Sequence, residues 1–210
     1  MNTRLRAMFC DHLSILRGKY LPNSKIGTDS SRFCRSTFGV HYDKDLLDAP
    51  GAMMMQGLPD MELRWNEGDI REGWERSTHV VLGDLYDDTG APLGLCPRGA
   101  LKRAITAWGA HGLRPKVGIE LEAFALQADD TGRLRPYDTP GAVVYGTGMM
   151  SAPLRFYYVI LERAEQLGFA LDMIISSYDS LQLEYTLTLE EALKAVDEIV
   201  LCRQKAREIA

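Results

Sequence analysis

Residues 116–126, KVGIELEAFAL, alternate in a strict period of two: Ile119, Leu121 and Ala123 share one face, and Glu120, Glu122 and Phe124 share the other. That pattern predicts a strand. Residues 182–188, QLEYTLT, repeat it, with Leu183, Tyr185 and Leu187 on one side and Gln182, Glu184 and Thr186 on the other. Two strands that are apolar on one face and acidic on the other predict a half-buried sheet, and they set the fold class of the second part of the chain.

Working outward, Leu154, Tyr157, Tyr158, Leu161, Ala164 and Leu167 mark a helix stopped at Gly168, and ALDMII (170–175) is a short strand. ADDTGRLRPYD (128–138) reads as a polar turn, and Gly141, Gly146 and Gly148 favour irregular structure between it and the helix. Thr188 with Glu191 three residues on has the form of a capping box for a last helix, whose apolar stripe includes Ala192, Val196, Ile199 and Val200. The helical pattern is still running at Ala210. Upstream, Pro97 sits where a helix can start, and Leu101, Ile105 and Trp108 recur at helical spacing before Gly109 and Gly112, which predicts a core-facing helix over 98–110.

The first part of the chain reads differently. Two short apolar runs between Arg4 and Pro22 flank the polar DHLS, as in a strand pair joined by a turn, with Gly18 at a tight backbone position. Residues 23–75 are rich in Ser, Asp, Gly, Pro and Met with weak periodicity, and predict a loop-heavy region. A strand is predicted over 78–86, then a turn at Asp87–Gly90 and a short return strand to Cys96. Strands first, then alternating helix and strand, imply an α+β protein of two unequal parts, residues 1–95 and 96–210.

Composition excludes several classes. With 46% hydrophobic and 25% charged residues the 210-residue chain can bury a real core, and its net charge of -5 has no basic stripe for a nucleic acid. The N-terminus carries Arg4, Arg6 and Asp11 around a very short apolar stretch, whereas a secretory signal needs about 7 to 15 apolar residues, so neither a signal peptide nor a membrane span is expected. Cys10, Cys34, Cys96 and Cys202 never form C-x-x-C, and reduced cytoplasmic thiols are the simplest reading. His12, His41, His79 and His111 lack ligand spacing, Gly146 and Gly148 give only G-x-G, and Met53–Met55 suits packing or a subunit contact better than copper.

The chemistry-bearing feature is the acidic faces. Carboxylates two apart on a strand project to the same side about 7 Å apart, so Glu120, Glu122 and Glu184 converge if both strands line one cavity. Three carboxylates suit Mg²⁺ or Mn²⁺, which in turn hold nucleotide phosphates. The alternative is that they merely solvate the outer face of an antiparallel sheet.

Order along the chain adds a resemblance. GIELEAFAL is similar to the glutamine synthetase strand that carries two metal-binding glutamates, and CPRGALKRAITAWGAHGL (96–113) resembles the helix preceding it. QLEYTL resembles the family's Q-x-E strand. FCDHLSILRGKYLP (9–22) and THVVLGDLYDDTGAPLGLCP (78–97) resemble its N-terminal β-grasp domain, above all in the branch that couples glutamate to amines.

The resemblance implies a β-grasp domain followed by the first part of a catalytic α+β domain. It also implies ATP-dependent joining of the glutamate γ-carboxylate to ammonia or an amine through an acyl phosphate. Glu120 would lie on the metal at the nucleotide side, Glu122 and Glu184 on the metal at the glutamate side, and Gln182 beside them.

Two departures qualify what is implied. A further metal-binding glutamate is expected five or six residues before Gln182, where Ser176 and Ser177 stand; Asp179 is close but out of register. The family's later histidine, arginines and catalytic glutamates have no counterpart up to Ala210, so the chain alone is expected to show little ligase activity, to expose apolar edges and to associate, as a homo-oligomer or with ligase subunits. The competing reading is a non-catalytic paralogue that regulates full-length subunits.

Overall fold

A computed structural model of the chain describes residues 3–136, 143–148, 155–179 and 182–209. It divides into two compact units, Met1–Arg114 and Pro115–Ala210.

The first unit contains β1 (Arg4–Cys10), β2 (Leu16–Pro22), β3 (Ser30–Cys34), β4 (Asp60–Arg64), β5 (Arg71–Glu72), β6 (Thr78–Leu82), β7 (Asp84–Tyr86) and α1 (Pro97–Gly109). One sheet has the order β2-β1-β6-β5, with β1 antiparallel to β2 and parallel to β6; a second has the order β3-β4-β7. The β1–β2 turn is tied by the buried carboxylate of Asp11, which accepts from the Leu13 and Ile15 amides and pairs with Arg17 at 2.8 Å. Gly18 is tight as predicted: a Cβ there would sit 2.8 Å from Met8 Cγ and 2.9 Å from the Ala7 carbonyl oxygen.

The predicted strand over 78–86 is broken at Gly83, so that β6 joins one sheet and β7 the other. A Cβ at Gly83 would meet the Arg64 carbonyl oxygen at 2.5 Å, and only glycine lets the chain cross so close to β4. The return segment makes a single bridge, Tyr86 to Pro92, rather than a strand. Leu5, Ala7, Phe9, Phe33, Met61, Leu63, Val81 and Leu85 close the core between the sheets, and Met54 packs against it while Met55 is exposed. The loop-heavy 23–75 therefore contributes three strands as well as turns.

Helix α1 has the predicted extent, started by Pro97 and capped by Cys96, whose Sγ accepts from the Gly99 amide. Its apolar face is not buried, which corrects the core-facing expectation: none of its residues is buried and Trp108 is 53% exposed. Helical spacing identifies residues that share a face, not what covers them. The helix is held instead through Asp84, paired with Arg98 and Lys102 at 2.7 Å each. Burial pushes the Asp84 carboxyl up, but the hydrogen bonds from Lys102 and Arg98 outweigh it and keep its pKa below the usual range.

The second unit contains β8 (Lys116–Phe124), β9 (Leu126–Ala128), β10 (Leu134–Pro136), α2 (Arg155–Gln166), β11 (Leu171–Ser176), β12 (Gln182–Glu191) and α3 (Ala192–Ile209). β9 and β10 form a hairpin around the predicted polar turn, whose Asp129 carboxylate is held at a pKa of about 2 by hydrogen bonds from Thr131 and Arg135. The main sheet is antiparallel, in the order β11-β12-β8. One face carries Leu183, Tyr185, Leu187, Ile119 and Leu121, packed with Ile160 of α2 and Ile199, Cys202 and Ala206 of α3.

The helix predicted before Gly168 is α2, Arg155–Gln166, and one cap reading needs correction. The buried stripe of α2 runs through Ile160 and Ala164, with Tyr157 half-buried, while Tyr158 and Leu161 are exposed; Leu154 lies outside the described residues. The capping box of Thr188 and Glu191 is not formed. β12 continues through both residues because Glu190 and Glu191 pair with Val117 and Lys116, and the Thr188 amide donates to Ala170. Ladder pairing replaced the local cap, and α3 begins at Ala192 with the last residue, Ala210, outside the described set.

Candidate active site

The face of the β11-β12-β8 sheet turned away from α2 and α3 carries the predicted acids. In the β12–β8 ladder Glu184 is directly opposite Glu122, and Thr186 is directly opposite Glu120. Directly paired residues have Cβ atoms about 4.5–5.5 Å apart on the same side of the sheet, so Glu120, Glu122 and Glu184 form one group with Gln182 and Thr186 among them. Alternation alone assigns each acid to a polar face; the pairing register makes the two faces one.

The electrostatics agree with that grouping. Burial, followed by the charges of Glu120 and Glu122, pushes the Glu184 carboxyl above its usual pKa. Gln182 Nε2 donates to Glu122 Oε2 at 2.5 Å, which fixes the orientation of one carboxylate. Thr186 Oγ1 is buried and has no hydrogen-bond partner among the described residues. Sequence alternation put Thr186 on this face, but nothing in the sequence marked its hydroxyl as unsatisfied.

The two serines are separated by register. Ser176 pairs with Leu183, on the core-facing side, and its hydroxyl donates to the Val143 carbonyl at 2.7 Å and accepts from the Gly146 amide at 3.1 Å. The Ser177 amide donates to the Gln182 carbonyl at 2.8 Å, which continues the ladder and puts Ser177 on the polar side beside Gln182. Asp179 lies in the exposed turn between β11 and β12, its carbonyl accepting from the Gln182 amide.

A hard divalent cation fits the chemistry of this donor set: carboxylate oxygens that repel one another, an amide that orients one of them, and an unsatisfied hydroxyl. As they stand, no three His, Cys, Asp or Glu side chains among the described residues lie close enough to share an ion. Mutual repulsion keeps such carboxylates apart, and a cation's charge is what draws them together.

Among the described residues, concavities also occur within the first unit. One, of about 470 Å³, is lined by Arg32, Asp60, Glu62, Arg64, Asp87 and Asp88. Within it Arg64 pairs with Glu62 at 2.6 Å and stacks on Tyr86, and Asp87 accepts from Thr89 and Ala91. Another, of about 320 Å³, lies beside α1 and includes Lys102 and Arg103. Asp60 and Asp88 of the first concavity make no ion pair among the described residues, but no side-chain amide among the described residues orients a carboxylate there as Gln182 orients Glu122 on the β8–β12 face.

A family model described as the glutamine synthetase catalytic domain matches residues 94–210. The chain belongs to the glutamine synthetase family. Type-1 glutamine synthetase 2 of Dictyostelium discoideum is 33% identical over 115 residues, 52% of this chain and 22% of that protein. The gamma-glutamylanilide synthase of an Acinetobacter species is 26% identical over 152 residues, 65% of this chain and 30% of its own length. In fold, a solved glutamine synthase homologue superposes with a TM-score of 0.81 at 19% identity, covering 100% of this chain and 49% of that one. The chain thus spans well under half the length of the curated relatives it matches. The glutamine synthetase match contains β8, β11 and β12 entire, so the acidic face lies within the segment that defines the family.

Proposed function

We propose that the chain supplies the carboxylate layer of an ATP-dependent ligase that joins the γ-carboxylate of glutamate to ammonia or an amine through an acyl phosphate. The observation that carries this reading is the register of β12 on β8, with Glu184 opposite Glu122 and Glu120 on the same face. Glu120 would hold the metal on the nucleotide side, and Glu122 with Glu184 the metal on the glutamate side. Mg²⁺ or Mn²⁺, when bound, neutralises crowded phosphate and carboxylate oxygens during phosphoryl transfer. The protein's own part is positioning: Gln182 orients Glu122, and the packed Leu183, Tyr185 and Leu187 on the opposite face hold the strand that bears Glu184.

Residues 1–95 form a β-grasp-like domain in this reading, supported by the mixed sheet whose central strands β1 and β6 run parallel; residues 96–210 are the catalytic portion. The whole acts in the cytoplasm, as a homo-oligomer or with ligase subunits, and with no nucleic acid or membrane as partner. Among the described residues no helix is long and apolar enough to cross a membrane. One observation favours a second reading, a non-catalytic paralogue that binds ligase subunits: Ser176 and Ser177 are both neutral where the family resemblance expects a carboxylate at one or the other, and Ser177 is the one on the polar side beside Gln182.

Thermal unfolding tests the ligase reading. Mn²⁺ at saturating concentration is expected to raise Tm by about 5 °C, and ATP to raise it further only when the metal is present. Glu120→Gln removes the ATP-dependent part. An equal effect of ATP in EDTA, or no shift with millimolar Mn²⁺, would contradict it.

A further inference from the structure

Thr186 Oγ1 is a buried hydroxyl oxygen with no hydrogen-bond partner among the described residues. A buried hydroxyl left unsatisfied is destabilising, and valine, of the same shape, would avoid that cost at this strand position. Thr186 stands directly across the ladder from Glu120 and two residues beyond Glu184, on the face that carries Gln182 and all three acids. Glu122 already has an orienting donor in Gln182, whereas Glu120 has no hydrogen-bond partner among the described residues. The group without an acceptor and the carboxylate without a donor are therefore direct cross-strand neighbours.

We propose that Thr186 is a positioning residue for the metal site: its hydroxyl donates to Glu120 when a divalent cation draws the carboxylates together, fixing which Glu120 oxygen faces the ion. This rests on the reading of Glu120, Glu122 and Glu184 as a cation-binding layer. The pattern matches metal sites generally, in which a ligand's outer hydrogen bond sets its orientation and basicity, and its removal weakens the ion about 10–100-fold. Gln182 serves Glu122 in this way, and Thr186 would serve Glu120.

The experiment is Mn²⁺ titration of the whole chain, followed by the loss of the free-ion electron paramagnetic resonance signal, with Tm measured on the same metal-free samples. Thr186→Val is expected to bind Mn²⁺ about tenfold more weakly while its Tm is equal to or above that of the parent. Thr186→Ser restores affinity to within about threefold, since it returns the donor that the proposal requires. A purely structural role would move Tm and affinity down together, and serine would not separate them. Thr186→Val binding as tightly as the parent overturns the proposal, as does a serine variant no better than valine. Glu122→Gln is the control for the underlying reading: if it weakens Mn²⁺ and Thr186→Val does not, only the role of Thr186 is lost. If neither changes binding, the cation layer itself is wrong.

Discussion

Replacing Lys205 with methionine is expected to raise the unfolding free energy of the second unit by about 2 kcal/mol at pH 7, with the gain disappearing by about pH 10.5. Lys205 is fully buried on α3. Its Nζ donates to the Ile160 carbonyl at 3.3 Å and lies 5.1 Å from the Phe169 ring centre, with no carboxylate in ion-pair contact among the described residues. Burial lowers its pKa from 10.5 to about 8; the Cys202 thiol opposes the shift, and Arg163 adds to it. Glu198, also buried on α3, accepts from the Ala170 amide instead.

The folded state therefore holds fewer protons than the unfolded chain between pH 8 and 10.5, and stability must rise with pH across that window. Below pH 8 the full penalty, about 3 kcal/mol for a shift of this size, is present. Methionine removes it but also forfeits the hydrogen bond to Ile160, worth about 1 kcal/mol. Urea unfolding of both proteins at pH 7 and 10.5 measures the difference. A methionine variant less stable at pH 7, or a gap that does not narrow as pH rises, would show that the lysine is stabilised where it lies.

The second large effect concerns the acids. Glu122→Ala and Glu184→Ala are each expected to weaken Mn²⁺ binding by about 10–100-fold, roughly 1.4–2.7 kcal/mol, and the double variant by little more than the worse single. Residues sharing one ion are not additive, because the first loss already opens the site. Both substitutions relieve repulsion, so the metal-free Tm should hold or rise. Isothermal titration calorimetry measures the affinities. Three proteins with the same affinity would return the glutamates to the simpler role of solvating a sheet face.

How far the site can be read from sequence depends on which physical interaction fixes each residue. Alternation in KVGIELEAFAL and QLEYTLT specified both faces of β8 and β12, since a half-buried strand enforces a period of two. It could not specify that Glu184 stands opposite Glu122, because register is a long-range property of pairing. For the same reason Ser176 and Ser177 are equivalent in sequence but face opposite sides in the sheet. The capping box at Thr188 was a sound local signal that lost to the ladder formed by Glu190 and Glu191. Buried Lys205 and Glu198 interrupt what is otherwise an apolar helix stripe, and nothing in an i, i+4 pattern distinguishes a charged residue that is buried from one that is exposed.

The most direct measurement is paramagnetic broadening of backbone amide signals in an isotope-labelled sample titrated with substoichiometric Mn²⁺. The effect falls steeply with distance from the ion. A cation held by the acidic face broadens selectively the signals of residues 120–122 on β8 and 182–186 on β12 and leaves the first unit unchanged. Broadening centred on Asp60, Glu62, Asp87 and Asp88, or spread evenly over the acidic surface, would contradict it.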